Sequence, residues 1–169
     1  MNKKIRNATI TKQKNITFKS QLEKSVYNTL QQLGFKPKYE PKTFTLIDAF
    51  EAKTPYYDKE TDNQLKKRRE LGDSSARKLV KKSNKFQGIR YTPDFYFKYN
   101  GIDIYIESKG FENDVFPIKK KLFLRYLNTI KTPSMYFEIY TKKQLLQAIE
   151  IIKEYATTSL DKNVTSGTS

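Results

Sequence analysis

Two carboxylates and a lysine within Tyr91–Gly110, YTPDFYFKYNGIDIYIESKG, have the types and spacing of a hydrolytic centre. Asn100-Gly101 is a dipeptide favoured in two-residue hairpin turns, and the residues flanking it read as strands. Such a turn fixes the register. Tyr99 opposes Ile102, Phe97 opposes Ile104 and Phe95 opposes Ile106, so one face is apolar and needs a core. The other face sets Lys98 opposite Asp103, Tyr96 opposite Tyr105 and Asp94 opposite Glu107, with Lys109 one step further on the same side. Like charges directly opposed on a sheet are destabilising. A divalent cation with a nearby lysine is the usual compensation. One Mg²⁺ bridging Asp94 and Glu107, completed by the Ser108 carbonyl and waters, would activate a water and neutralise a phosphate oxygen. Lys109 would hold that water in line and offset developing charge. A second cation needs a further carboxylate; Glu23 is the best placed and Glu40 a weaker candidate for the outer shell. This assembles metal-dependent phosphodiester hydrolysis without histidine and without a covalent intermediate. The opposing reading is a surface hairpin held by the ion pairs Asp94–Lys109 and Lys98–Asp103.

The composition narrows the choice. The 169 residues are enough for one domain with a real core. With 33 Lys+Arg against 18 Asp+Glu, the formal net charge is +15, which points to a polyanion: nucleic acid first, an anionic membrane surface second. There is no Cys and no His, which excludes disulfides, thiolate zinc and every triad built on an imidazole. Carboxylates, lysines and hard cations are what remain. No apolar run approaches the roughly 20 residues of a membrane span and no signal-peptide pattern is present, so the expected location is cytoplasmic.

The elements that must position these groups can be read along the chain. Residues 1–16 read as a flexible basic arm. A helix is expected over Thr17–Gly34 from the stripe Leu22, Val26, Leu30 and Leu33, with Gly34 at its end. Ser20-x-x-Glu23 has capping-box spacing, which is compatible with Glu23 also facing a metal. Phe35–Leu46 reads as a first strand burying Tyr39, Phe44 and Leu46, kept near an edge by Pro37 and Pro41. Residues 47–90 form a basic insertion with helices over Asp58–Leu71 and Ser74–Ser83, anchored by Leu65, Leu71, Leu79 and Val80. Its positive clusters, Lys66-Lys67-Arg68-Arg69 and Arg77, Lys78, Lys81 and Lys82, suit either a solvated arm or a grip on phosphate or a partner subunit. After the hairpin, a helix from Pro117 to Thr129 has Ile118, Leu122, Tyr126 and Leu127 as its inner stripe. Lys119, Lys120, Lys121 and Arg125 form the outer stripe, and the three lysines join Lys66–Arg69 as expected DNA contacts. A strand over Met135–Tyr140 and a helix over Lys142–Tyr155, with Leu145, Ile149 and Ile152 inward, complete a single domain over residues 17–155. Residues 156–169 read as a disordered tail. The expected fold class is α/β, a mixed sheet flanked by helices.

Pro93-Asp94 followed by Glu107-Ser108-Lys109 resembles the PD-(D/E)XK nuclease superfamily. Phe18-Lys19-Ser20-Gln21-Leu22-Glu23, Tyr39-Glu40, Tyr91-Thr92-Pro93-Asp94-Phe95 and Glu107-Ser108-Lys109-Gly110 are similar to the phage-type endonuclease I family, which resolves four-way DNA junctions. Lys109-Gly110-Phe111 and Lys119-Lys120-Lys121-Leu122-Phe123 are also similar to uncharacterised phage nuclease-like proteins. The resemblance covers about residues 17–46 and 91–141. It implies a restriction-endonuclease-like core (helix, three-stranded meander, helix, strand) with the catalytic set Glu23, Asp94, Glu107 and Lys109. It further implies Mg²⁺ or Mn²⁺, branched DNA as substrate, a homodimer because a junction takes two symmetric cuts, and a phage origin, hence the host cytoplasm. In the resolvase pattern the first strand runs almost directly into Pro-Asp, whereas here residues 47–90 intervene. The alternatives are a nicking or end-processing nuclease on ordinary duplex and a non-catalytic DNA-binding module.

Overall fold

Asn100 and Gly101 both take positive φ, 47° and 81°. That is the backbone of a two-residue turn whose twist matches paired strands. The register set there is the expected one: Phe95 pairs with Ile106, Tyr96 with Tyr105, Phe97 with Ile104, Lys98 with Asp103 and Tyr99 with Ile102. The computed structural model describes residues 9–13, 15–54, 59–72, 84–110 and 114–165. Its elements are β1 (Thr11–Gln13), β2 (Ile16–Phe18), α1 (Gln21–Gln32), β3 (Lys38–Tyr39), β4 (Phe44–Ile47), β5 (Phe50–Ala52), α2 (Lys59–Glu70), β6 (Asn84–Phe86), β7 (Ile89–Tyr91), β8 (Phe95–Tyr99), β9 (Ile102–Ser108), α3 (Phe116–Thr129), β10 (Ser134–Ile139) and α4 (Lys142–Thr165). Two compact units result: residues 1–46 with 90–169, and residues 47–89. No helix among the described residues is long and apolar enough to cross a membrane.

In the first unit the central sheet has the order β10-β9-β8-β3. β3, β8 and β9 are antiparallel neighbours, and β10 lies parallel to β9. A parallel partner needs a long crossover, and α3 lies on that connection. One face of the sheet buries Phe95, Phe97, Ile102, Ile104 and Ile106 in a cluster with Val26 and Leu30 of α1 and Leu145, Ile149 and Ile152 of α4. The other buries Tyr105 with Phe44, Tyr91 and the α3 residues Phe116, Phe123 and Leu127. The fold is therefore mixed α/β, with helical residues packed on both faces of the sheet.

Several expected details change. The first strand is two strands: β3 stops at Tyr39 because Glu40 turns to φ 43° and Pro41 follows without an N–H. β4 starts at Phe44, which is buried. α1 starts at Gln21, capped by Ser20, and Thr17 and Phe18 belong to β2. Val26 and Leu30 are buried as expected, but Leu33 sits at the helix end and is 42% exposed. Gly34 beyond it has φ 85°, the left-handed conformation that ends helices. Part of the basic arm is ordered, since Thr11–Gln13 pairs with Ile16–Phe18. α4 continues to Thr165, ten residues beyond the expected Tyr155, and buries Ala156.

The largest correction concerns α3. Ile118 is 56% exposed, whereas Phe123 is fully buried. The inward face is Phe116, Phe123 and Leu127, with Tyr126 and Ile130 beside it. Several adjacent stripes of this helix are apolar, and only contact with the sheet selects one. Phe123 lies 4.7 Å from the Tyr91 ring, 5.1 Å from Phe44 and 5.3 Å from Tyr105.

In the second unit, β5 and β6 pair antiparallel, with Phe50 stacked on Phe86 at 5.1 Å. α2 buries Leu65, but Leu71 is 78% exposed and anchors nothing. The helix expected over Ser74–Ser83, with Leu79, Val80, Arg77, Lys78, Lys81 and Lys82, lies outside the described residues.

Phe123→Ala should cost about 3–5 kcal/mol of stability, as emptied aromatic core sites do. Ile118→Ala should change it by less than about 0.5 kcal/mol. Urea unfolding of both variants checks the assignment of the helix face, and equal losses would contradict it.

Candidate active site

The mouth of the β8–β9 hairpin brings Asp94 and Glu107 together. Asp94 sits immediately before β8, and its Oδ2 accepts the Ser108 N–H at 2.7 Å. Its side chain thus occupies a main-chain donor at the end of the strand pair and cannot swing freely. Glu107 is buried in β9 and held from two sides. Tyr91 donates its hydroxyl to Oε2 at 2.6 Å. The Lys109 ammonium meets Oε1 at 2.5 Å. The same ammonium stands 3.7 Å over the Phe116 ring at the start of α3. Lys109, one residue past the end of β9, therefore pairs with Glu107 two residues back, and not with Asp94. The Lys98–Asp103 pair is present at 3.5 Å.

The electrostatics follow from this crowding. Burial, and next the Glu107 carboxylate, push Asp94 well above the usual carboxylate range; the Ser108 N–H and Lys109 pull the other way. Glu23 adds a smaller upward push. Tyr91 is raised by burial and then by Glu107, so its hydroxyl stays a proton donor. The Tyr136 hydroxyl lies 3.2 Å from that of Tyr91 and extends the network to β10.

Glu23 is fixed by the start of α1. Ser20 Oγ accepts the Glu23 N–H at 3.1 Å, and the Ser20 hydroxyl donates to Oε1 at 3.1 Å. Oε2 accepts the Lys19 N–H at 2.9 Å and the Tyr39 hydroxyl at 2.6 Å. This is a capping box shifted by one residue, with Lys19 in place of Ser20 as the backbone donor. Both oxygens of Glu23 are occupied by protein donors. Glu40 forms an ion pair with the Lys19 ammonium, and its N–H reaches the Asp94 carbonyl at 2.8 Å. The hydrogen bond to Glu40 holds the Lys19 ammonium above its ordinary range.

Asp94, Glu107, Lys109, Lys19, Glu40 and Lys119 line a cavity of about 490 Å³, and Glu23, buried at the start of α1, is not part of that lining. Carboxylates and ammonium groups share its lining. Such a wall suits a phosphate together with a cation. Among the described residues no three acidic or other ligating side chains converge. Asp94 and Glu107 remain as a pair, and Mg²⁺ is commonly held by one or two carboxylates with waters and phosphate oxygens. The donor chemistry fits one hard cation. Ser108 is buried, and its hydroxyl has no hydrogen-bond partner in the structure.

The expected DNA-contacting lysines separate. Lys119 lines the cavity. Lys120 turns to Glu138 at 2.9 Å, next to Glu107 in the β9–β10 register. Lys121 is exposed. In the second unit, Lys67, Arg68 and Arg69 are exposed on α2, and Lys66 pairs with Asp62 at 2.9 Å. Tyr91, Lys19 and Phe116 carry site geometry that the sequence did not assign. Tyr91 alone left a signal, as a tyrosine three residues before the acidic position.

Comparisons with protein-family models, with curated proteins and with solved structures find no match.

A raised acid pKa means that the folded state holds its proton more tightly than the unfolded chain does. Stability is then lost as pH rises from about 3.9, the ordinary Asp value, through the folded value. Asp94→Asn should therefore raise the melting temperature at pH 7, and the gain should shrink as pH approaches about 4. Thermal unfolding across pH checks this, and a gain independent of pH would contradict it.

Proposed function

We propose that the protein is a Mg²⁺- or Mn²⁺-dependent DNA endonuclease of the PD-(D/E)XK kind, selective for branched duplex and used in phage DNA processing. The observation that carries this reading is the adjacency of Asp94 and Glu107 at the hairpin mouth, with Lys109 on Glu107 and both acids open to one cavity. The order helix, antiparallel strands, helix, parallel strand supports a restriction-endonuclease-like core. The net charge of +15 supports a polyanionic substrate.

Each residue has a role in hydrolysis. A cation held by Asp94 and Glu107 would supply a water of lowered pKa and neutralise a non-bridging phosphate oxygen. The Ser108 N–H fixes the Asp94 side chain, and Tyr91 fixes Glu107, so neither must reorganise during the reaction. Lys109 is placed to orient the attacking water and to offset charge as the P–O bond breaks. Lys19 and Lys119 flank the substrate phosphates. The leaving oxygen takes a proton from solvent, and no covalent intermediate forms. Glu23 sets the backbone at Lys19 through its cap contacts. Selectivity for branched DNA and dimerisation rest on the likeness of residues 18–23, 91–95 and 107–110 to junction resolvases.

A synthetic four-way junction and matched linear duplex, each with Mg²⁺ or EDTA, test the reading. Wild type should cut the junction only with metal, and Asp94→Ala should lower the rate at least about 10³-fold, the scale of a lost charge-stabilising group. Equal cutting of both substrates would remove the junction preference and leave an ordinary duplex nuclease. Cleavage surviving Asp94→Ala would remove this site as the catalytic centre, and no cleavage of any DNA with Mg²⁺ or Mn²⁺ would remove the enzyme and leave a DNA-binding module.

Tyr91→Phe should weaken Mn²⁺ binding about 10- to 100-fold, as losses of groups orienting metal ligands do. Titration of Mn²⁺ by electron paramagnetic resonance reads this without any substrate, and an unchanged affinity would refute the orienting role.

A further inference from the structure

A second cavity, of about 430 Å³, opens on the α3 side of the sheet. Its walls include Phe44, Tyr96, Tyr105 and Tyr126. The Tyr96 and Tyr105 rings lie 5.3 Å apart, and Phe44 stands nearly perpendicular to Tyr105 at 5.8 Å. Lys38 and Lys42 are also part of its lining, and both are exposed to solvent. Thr132 and Asp103 add further polar groups, and Asp103 is the acidic one. Its Oδ1 accepts the Tyr96 hydroxyl at 2.9 Å and faces the Lys98 ammonium at 3.5 Å. Oδ2 stays available to a further donor. Burial pushes the Tyr105 hydroxyl up to about 12, so it keeps its proton at neutral pH.

The position relative to the acidic pair follows from the strand register. Tyr96 and Tyr105 stand two residues along β8 and β9 from Asp94 and Glu107, on the same face. Two residues of strand span about 7 Å. The tyrosines thus lie within one nucleotide's reach of a phosphate at Asp94 and Glu107, and a base that enters a walled aromatic cavity has left its stack. The segment between the cavities serves both: Glu40 and Thr43 line the first, Pro41, Lys42 and Phe44 the second.

We infer that this second cavity holds the base of an unstacked nucleotide of the bound strand, next to the phosphate at Asp94 and Glu107. The aromatic walls supply stacking, Lys42 and Lys38 face the backbone phosphate, and Asp103 accepts from an exocyclic amine. Bases bearing that amine are therefore preferred over thymine. The identity of the ligand as a nucleotide rests on the nuclease reading above, but its binding is separable from cleavage.

Duplexes with one bulged cytidine, one bulged thymidine, one bulged abasic residue, or no bulge are titrated in EDTA by fluorescence anisotropy. The bulged cytidine should bind about 5- to 10-fold tighter than the abasic bulge, within the range of one base–aromatic stack, with thymidine between them. Tyr126→Ala should bring the ratio near unity. Lys42→Ala, at an exposed position that leaves the core intact, should weaken every bulged duplex and lower the salt dependence. Free deoxycytidine monophosphate, followed by amide NMR shifts, tests the other source of the same chemistry. Equal affinity for cytidine and abasic bulges overturns the proposal. So does a ratio that neither variant changes, or free nucleotide bound at Tyr96, Asp103 and Tyr105 with no bulge preference. Because no metal is present, failure here leaves cleavage of junctions intact, and a protein that cuts nothing can still show the bulge preference.

Discussion

Main-chain pairing forces two negative charges to share the mouth of one hairpin, and much of the surrounding structure answers that constraint. The turn at Asn100-Gly101 leaves Asp94 and Glu107 no other relative position. The available answers are local: an N–H from Ser108 for one acid, an ammonium from Lys109 and a hydroxyl from Tyr91 for the other. Ser108 and Tyr91 belong to β9 and β7, and Lys109 follows β9 directly. Burial first, and then this repulsion, eased without being removed, hold Asp94 well above the usual carboxylate range.

Packing and chemistry meet in the same side chains. Tyr91 lays its ring against Phe123 in the core and gives its hydroxyl to Glu107. Phe116 starts α3, lies in the buried cluster and carries the Lys109 ammonium over its ring. Glu23 caps α1 while contributing to the field at Asp94. The α3 face of the sheet is therefore both a hydrophobic layer and the support of the cavity, and loosening one loosens the other.

The sequence made the hairpin legible because a two-residue turn leaves one register and alternation leaves one apolar face. The inward residues of α4 were legible too, since Leu145, Ile149 and Ile152 form a single stripe. On α3, Ile118 and Phe123 belong to different apolar stripes, and periodicity cannot choose between them without the sheet. The break between β3 and β4 depends on Glu40 entering a left-handed conformation, which nothing in its side chain announces. β1, β2, β5 and β6 span three residues each, too few for a period to show. In the site, the sequence named Asp94, Glu107 and Lys109, and left the lysine between two roles: holding a water at a metal, or an ion pair with Asp94. Alternation carries one residue past the end of β9, so Lys109 shares a side with Glu107, and its ammonium meets that carboxylate. Tyr91 was unassigned because its role comes from a hydroxyl meeting a residue sixteen positions away.

Glu40 carries a Cβ into the left-handed region at φ 43°, at a cost of about 1–2 kcal/mol. Its N–H still reaches the Asp94 carbonyl, and Pro41 then ends any continuation of the edge strand. The chain leaves the sheet there and lines both chambers, with Thr43 on one and Lys42 on the other. Any displacement of residues 40–44 reshapes both chambers at once, so the two volumes are mechanically one variable.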